Sequence, residues 1–291
     1  MTTLKAFVKR HPVMTYYALT FAISWGGMLI VVGPGGIPAT PEQTEMLFPI
    51  VLLAMLAGPS VAGILSTGLA HGRAGFRELL SRLFSWRVGA RWYAVALLAT
   101  PLLAMATLFA LLPISPVFLP GIFASDDKAS LLLIGIAVGL VVGIFEELGW
   151  TGFAIPRLRR RYGVLTTGLI VGLLWGAWHF ILAFWASGDS PGALSMLLFL
   201  PWVLYNVGLL PVYRVLMVWV YDRTGSLLVA MLMHASLTGG LAMILMPLAI
   251  SGVPNLIWYF VLTVVLWIIV AAVHGLQTLP RQGRGVLPVQ E

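Results

Sequence analysis

The sequence has no cysteine, which excludes disulfides, a thiolate metal site and a cysteine nucleophile at once. It is also short of charge. Only 9% of its 291 residues are Asp, Glu, Lys or Arg, against 60% hydrophobic, too few charges to cover a soluble domain of this size. Period-two alternation of apolar and polar residues is missing too. The apolar residues form long blocks, which excludes the strand pattern of a closed β-barrel and points to transmembrane helices. There is no internal repeat and no low-complexity tract.

The blocks predict an all-α, polytopic membrane protein: one integral-membrane domain over 1–291, multi-pass in the cell membrane. Eight spans fall at roughly 13–33, 47–71, 92–113, 130–154, 164–186, 194–220, 226–250 and 255–275. Lys5, Lys9 and Arg10 precede the first block. The run from Val13 to Val32 is longer than a signal-peptide core and lacks a small-x-small cleavage site, so it reads as a retained helix.

The net charge of +7 is carried mostly by arginine. No basic face is long enough to track a phosphate backbone, which argues against nucleic acid as a partner. Basic residues instead sit between the apolar blocks. One side of the membrane receives Lys5, Lys9, Arg10, then Arg73, Arg77, Arg82, Arg87 and Arg91, then Arg157, Arg159, Arg160, Arg161, then Arg223, Arg281 and Arg284. The other receives Lys128 with Glu42, Glu45, Asp126, Asp127 and Asp189. This asymmetry supports an even span count and cytoplasmic termini, with the arginines meeting anionic membrane lipids. Phe76, Leu79, Leu80, Leu83 and Phe84, interleaved with Arg77 and Arg82, fit either an amphipathic helix on the inner leaflet or a basic loop.

A few ionisable residues interrupt the spans: Glu146 and Glu147 on the fourth, His179 on the fifth, Arg214 on the sixth and His234 on the seventh. His71 and His274 fall at span ends. A charge in hydrocarbon costs on the order of 3 kcal/mol, so such residues persist where they are paired, hydrated or functional. Glu146 lies about eleven residues from the Arg157 cluster, and His234 about eleven from Arg223, roughly 16 Å each at 1.5 Å per residue. His179 lies roughly 22 Å into its span on the same measure. The four groups therefore share a depth and can meet.

Adjacent carboxylates point about 100° apart on a helix, so one can face the chemistry while the other reaches a supporting partner. Thr238 follows His234 by four residues and shares its face if the helix is regular. A buried carboxylate can take a proton from water. Two imidazoles and a carboxylate can also hold a zinc ion with an open position. Either arrangement suits amide hydrolysis. Any one of these residues alone would read as a satisfied polar group between helices; four at one depth read as a site. Arg214 is expected to snorkel to the inner interface, with pairing to Glu147 the lesser alternative.

The sequence also resembles a known family. Glu146-Glu147-Leu148-Gly149-Trp150-Thr151-Gly152-Phe153, followed by Pro156-Arg157-Leu158, is similar to the first motif of the CAAX protease and bacteriocin-processing (CPBP, or Abi) family, which includes the type II CAAX prenyl endopeptidases. Trp175-Gly176-Ala177-Trp178-His179 is similar to the second motif. Thr224-Gly225-Ser226-Leu227-Leu228 with His234-Ala235-Ser236-Leu237-Thr238 is similar to the third. The resemblance covers about 130–250. It implies an intramembrane endopeptidase cutting a peptide or protein substrate, prenylated in the eukaryotic members, near the inner leaflet. It implies Glu146 as activator of water and His179 and His234 as metal-binding or polarising groups. Zn²⁺ held by Glu146, His179 and His234, and a metal-free glutamate-activated water, both stay open.

Two positions depart from the family pattern. Thr151 stands where an arginine usually follows the second glutamate, and Thr238 where an asparagine usually follows the histidine. That asparagine is implied to hold the oxyanion, a donor typically worth about 10²–10³ in rate. Asn206 could replace it, and Arg157 or Arg214 could replace the arginine beside Glu147. Without such replacements the chain would be a weakened relative acting as a membrane binding or immunity protein. A transporter is a third reading, since Pro201 and Pro211 could break the sixth span, but no inverted repeat supports it.

Overall fold

The computed structural model describes Phe7, residues 10–33 and residues 35–278, with the side chains of 274–278 left aside. Lys5, Lys9, Pro34, Arg281, Arg284 and the His274 side chain lie outside the described residues. Among the described residues the elements are helices, with no strand. Eight of them are long and apolar enough to cross a membrane: α1 Pro12–Val32, α2 Pro41–Leu83, α3 Ala90–Leu111, α4 Lys128–Leu158, α5 Val164–Trp185, α6 Met196–Thr224, α7 Leu227–Leu245 and α8 Gly252–Thr278. The chain is a multi-pass integral membrane protein.

Local chemistry sets the helix starts. Thr40 and Gln43 form a reciprocal capping box, with Pro41 at the first helical position of α2. The Asp127 carboxylate caps α4 by accepting from the Ser130 N–H at 3.0 Å. The Ser130 side chain and N–H together hold the Asp127 carboxyl below its usual range.

α2 is longer than the sequence suggested. It continues past Gly72, which kinks it at φ 55°, and takes in the Phe76–Leu83 segment. That segment is a helix, not a loop, and it is tied to the bundle. Leu79 packs on Leu227 and Met231, and the Arg82 guanidinium donates to the Gly152 carbonyl and the Tyr221 hydroxyl, each at 3.0 Å.

α4 packs against α2 and α7, and α5 packs against α6. Small residues set the spacing. A Cβ on Gly143 of α4 would lie 2.6 Å from the Met231 carbonyl of α7, and one on Gly176 of α5 only 1.9 Å from the Asn206 carbonyl of α6. Three of these helices carry wide π turns: Trp150–Ala154 in α4, Tyr205–Leu209 in α6 and Ser236–Leu245 in α7. Such turns are frequent at functional sites. Each lies beside or within a sequence-derived candidate: after Glu147, around Asn206 and after His234.

Candidate active site

α4 supplies two buried carboxylates, and each of α5, α6 and α7 sends polar groups toward them. Glu147 is fully buried, and its partners are a guanidinium, an imidazole and a hydroxyl. Nη1 of Arg214, on α6, donates to both of its oxygens at 2.8 and 2.9 Å. The His234 Nδ1–H, on α7, donates to Oε1 at 2.7 Å. The Thr151 hydroxyl, one turn along α4, donates to Oε2. Arg214 is fully buried too, and its guanidinium lies over the Trp175 ring at 4.0 Å.

The expected snorkelling of Arg214 is thus overturned. Nη1 is held by the carboxylate and the guanidinium face by the indole, although Nε and Nη2 have no hydrogen-bond partner. It also answers the first departure from the family pattern. Thr151 occupies the usual arginine position and supplies a hydrogen bond, while the positive charge beside Glu147 comes from Arg214 on another helix. Arg157 does not reach Glu147; its Nη1 donates to the Phe153 carbonyl at 2.6 Å and its head group stacks on that ring.

Glu146, 2% exposed, has a different neighbourhood. Its Oε2 accepts from two indoles, Trp150 Nε1–H at 3.0 Å and Trp175 Nε1–H at 2.6 Å. Its Oε1 accepts no hydrogen bond from the described residues. Trp150 is wedged between Tyr16 and Tyr17 of α1 and Trp178 of α5, so one of its donors is held rigidly.

The two imidazoles are oriented alike. His179 Nδ1–H donates to the Trp175 carbonyl at 3.0 Å, and His234 Nδ1–H to Glu147. A carbonyl and a carboxylate only accept, so each neutral ring carries its lone pair on Nε2. Trp175 joins the group: its indole holds Glu146, and its ring meets those of His234 and His179 edge-on, at 4.9 and 5.8 Å between centroids.

Glu146 Oε2 is engaged by the two indoles, and His234 commits Nδ1 to Glu147, which leaves Glu146 Oε1 and the Nε2 atoms free. Among the described residues no three His, Asp or Glu side chains are placed together as metal ligands.

Asn206 is fully buried within the π turn of α6, its backbone against Gly176, next in sequence to Trp175. Neither Nδ2 nor Oδ1 has a hydrogen-bond partner, an arrangement rare for a buried amide. Thr238 is only partly buried, and its hydroxyl makes no hydrogen bond within the described residues. Its expected alignment with His234 assumed an α-helix. The wide segment that carries Thr238 begins at Ser236, two residues after His234.

Sequence reasoning missed the two indole donors. Trp150 stood at i+4 from Glu146 and Trp175 in the second motif, but their N–H groups were not weighed as partners. In apolar spans those are among the few donors available.

Residues 128–240, which hold Glu146, Glu147, His179, Asn206, Arg214 and His234, match the family model "Type II CAAX prenyl endopeptidase Rce1-like". The chain is also similar to "CAAX prenyl protease 2" of Methanococcus maripaludis, 23% identical over 176 residues, 58% of this chain. The match spans 62% of that relative's length. Over the segment that carries Glu146, Glu147, His179 and His234, the chain is similar to the type II CAAX prenyl endopeptidases.

Proposed function

We propose that this protein is an intramembrane endopeptidase that hydrolyses a peptide bond near the cytoplasmic leaflet, with Glu146 as general base. The observation that carries the reading is the setting of Trp175. One side chain touches Glu146, His179 and His234, and it leaves Glu146 Oε1 and both Nε2 atoms without partners.

In this reading Glu146 takes a proton from water as the oxygen attacks the scissile carbonyl. The indole N–H groups fix the carboxylate on Oε2 and leave Oε1 for the water. Nε2 of His179 and of His234 accept from the water and from substrate N–H groups. The Asn206 amide donates to the developing oxyanion, the role that the resemblance assigns to the position of Thr238. The proton held by Glu146 then passes to the leaving nitrogen. Glu147, Arg214 and Thr151 do not meet substrate; they hold His234 and the end of α4 in place. The substrate is a peptide segment at the membrane interface. A lipidated C-terminal peptide is its most direct form, following the name of the archaeal relative.

The partial exposure and unbonded hydroxyl of Thr238 favour a second reading, a weakened relative that binds membrane proteins without cutting them. Peptide termini across the proteome separate the two. Cells lacking the protein are compared with cells carrying wild type or Glu146→Gln at matched abundance. A terminus that appears with wild type alone supports proteolysis and names the substrate. Identical termini in the last two would sink it.

A further inference from the structure

A polar concavity lies away from the carboxylates. It opens where the start of α1 meets the end of α4 and the turn into α5, and encloses about 440 Å³, within the ~300–1,000 Å³ usual for small-ligand sites. Arg10, Arg157, Arg160 and Arg161 all line it. Among the described residues none of these four forms an ion pair with a carboxylate, although Arg159 beside them pairs with Asp222 at 2.7 Å and Arg82 with Glu78 at 3.7 Å. Among the described residues, Glu78 is the acid that acts electrostatically on Arg157. The Arg157 Nε–H is buried without a hydrogen-bond partner. Four guanidinium groups from two elements thus converge on one cavity with no acid in its lining, and the Val13 and Met14 side chains add an apolar wall.

Like charges gathered around a concavity repel unless an anion sits among them. Guanidinium forks match phosphate oxygens. The cavity lies at the end of the membrane-spanning helices, where lipid phosphates are found, and its apolar wall suits the glycerol and first methylenes of a lipid. We propose that this cavity is a binding site for the phosphate headgroup of an acidic phospholipid. The site is independent of the hydrolytic chemistry and would exist in a catalytically silent relative.

The test uses the full-length protein released from detergent micelles for native mass spectrometry, with phosphatidylglycerol, phosphatidylcholine or inorganic phosphate added. The variants are Arg160→Gln/Arg161→Gln, whose side chains are exposed, and separately Arg10→Gln, which reaches the cavity from the other element. Wild type should retain phosphatidylglycerol in preference to phosphatidylcholine. The double variant should bind it about 10- to 30-fold more weakly, as expected for two lost interfacial charges. Arg10→Gln should weaken it in the same direction. Retention of phosphatidylglycerol that ignores all three arginines overturns the site. So does equal retention of phosphatidylcholine. If inorganic phosphate displaces phosphatidylglycerol at equal concentration, the cavity binds soluble phosphate and the lipid assignment fails.

Discussion

Glu146 and Glu147 are neighbours in the chain but live in two different regions of the bundle. Around Glu147 every partner is a charge, a hydroxyl or an imidazole N–H, and both oxygens are occupied. Around Glu146 the donors are two indoles on one oxygen, and the other oxygen is open. A carboxylate engaged on both oxygens has none free to meet a water molecule; one held on a single oxygen does. The difference teaches how a helix can spend one carboxylate on architecture and keep the next for chemistry, using only the 100° between them.

The sharpest way to break this comparison is to remove each charge in turn. Glu146→Gln retains an oxygen for the indoles, so the protein should unfold at its wild-type temperature. Cleavage in reconstituted vesicles should fall by up to about 10⁴, the upper range for a lost general base. Arg214→Met should do the opposite, leaving Glu147 as an uncompensated buried charge and costing about 3–5 kcal/mol of stability in thermal or denaturant unfolding. Adding Glu147→Gln to Arg214→Met should recover part of that loss, which a double-mutant cycle measures. If the two glutamates behave alike in both assays, the division of labour is wrong.

Asn206→Ala and Thr238→Ala sharpen the picture on the substrate side. The first should lower kcat by about 10²–10³ with little change in folding, as for a lost oxyanion donor, and the second should be close to neutral. The reverse ranking would return the role to Thr238. Smaller than the effect of Asn206→Ala is that of Trp175→Phe. It keeps a ring under Arg214 but removes one charge-assisted hydrogen bond to Glu146, worth about 1.5–3 kcal/mol. A fall in kcat of about tenfold or more, with KM little altered, is the expected result; an unchanged kcat would detach Trp175 from the chemistry.

The fold was legible because hydropathy and arginine placement report directly on spans. Where α2 was misjudged, the reason is local: Arg73, Arg77 and Arg82 lower the hydropathy of a segment that stays helical because Leu79 and Arg82 bind it to α4, α6 and α7. The site was legible in its residues and not in its pairings. Depth brought Glu146, Glu147, His179 and His234 to one level, but nothing in a one-dimensional sequence says which carboxylate faces which helix. Arg214 was misread because snorkelling is the default for a lone arginine, and the default fails once a buried partner is in reach. The π segment that carries Thr238 was not legible at all, because it leaves unchanged the composition that announces a helix.

The pairing of Glu147 with Arg214 spans 67 residues of chain, and that separation has a consequence for how the protein is made. α4 enters the bilayer carrying two carboxylates before Trp175, Arg214 and His234 have been synthesised. At about 5–20 residues per second, the ribosome needs roughly 3 to 13 s to deliver Arg214, and longer to deliver His234. During that interval α4 must wait beside the insertion machinery or another protein, with its carboxylates protonated or hydrated. Assembly of this site is therefore a problem of timing during biogenesis, and truncations that end between α4 and α6 should be recognised by the cell as unfinished membrane proteins.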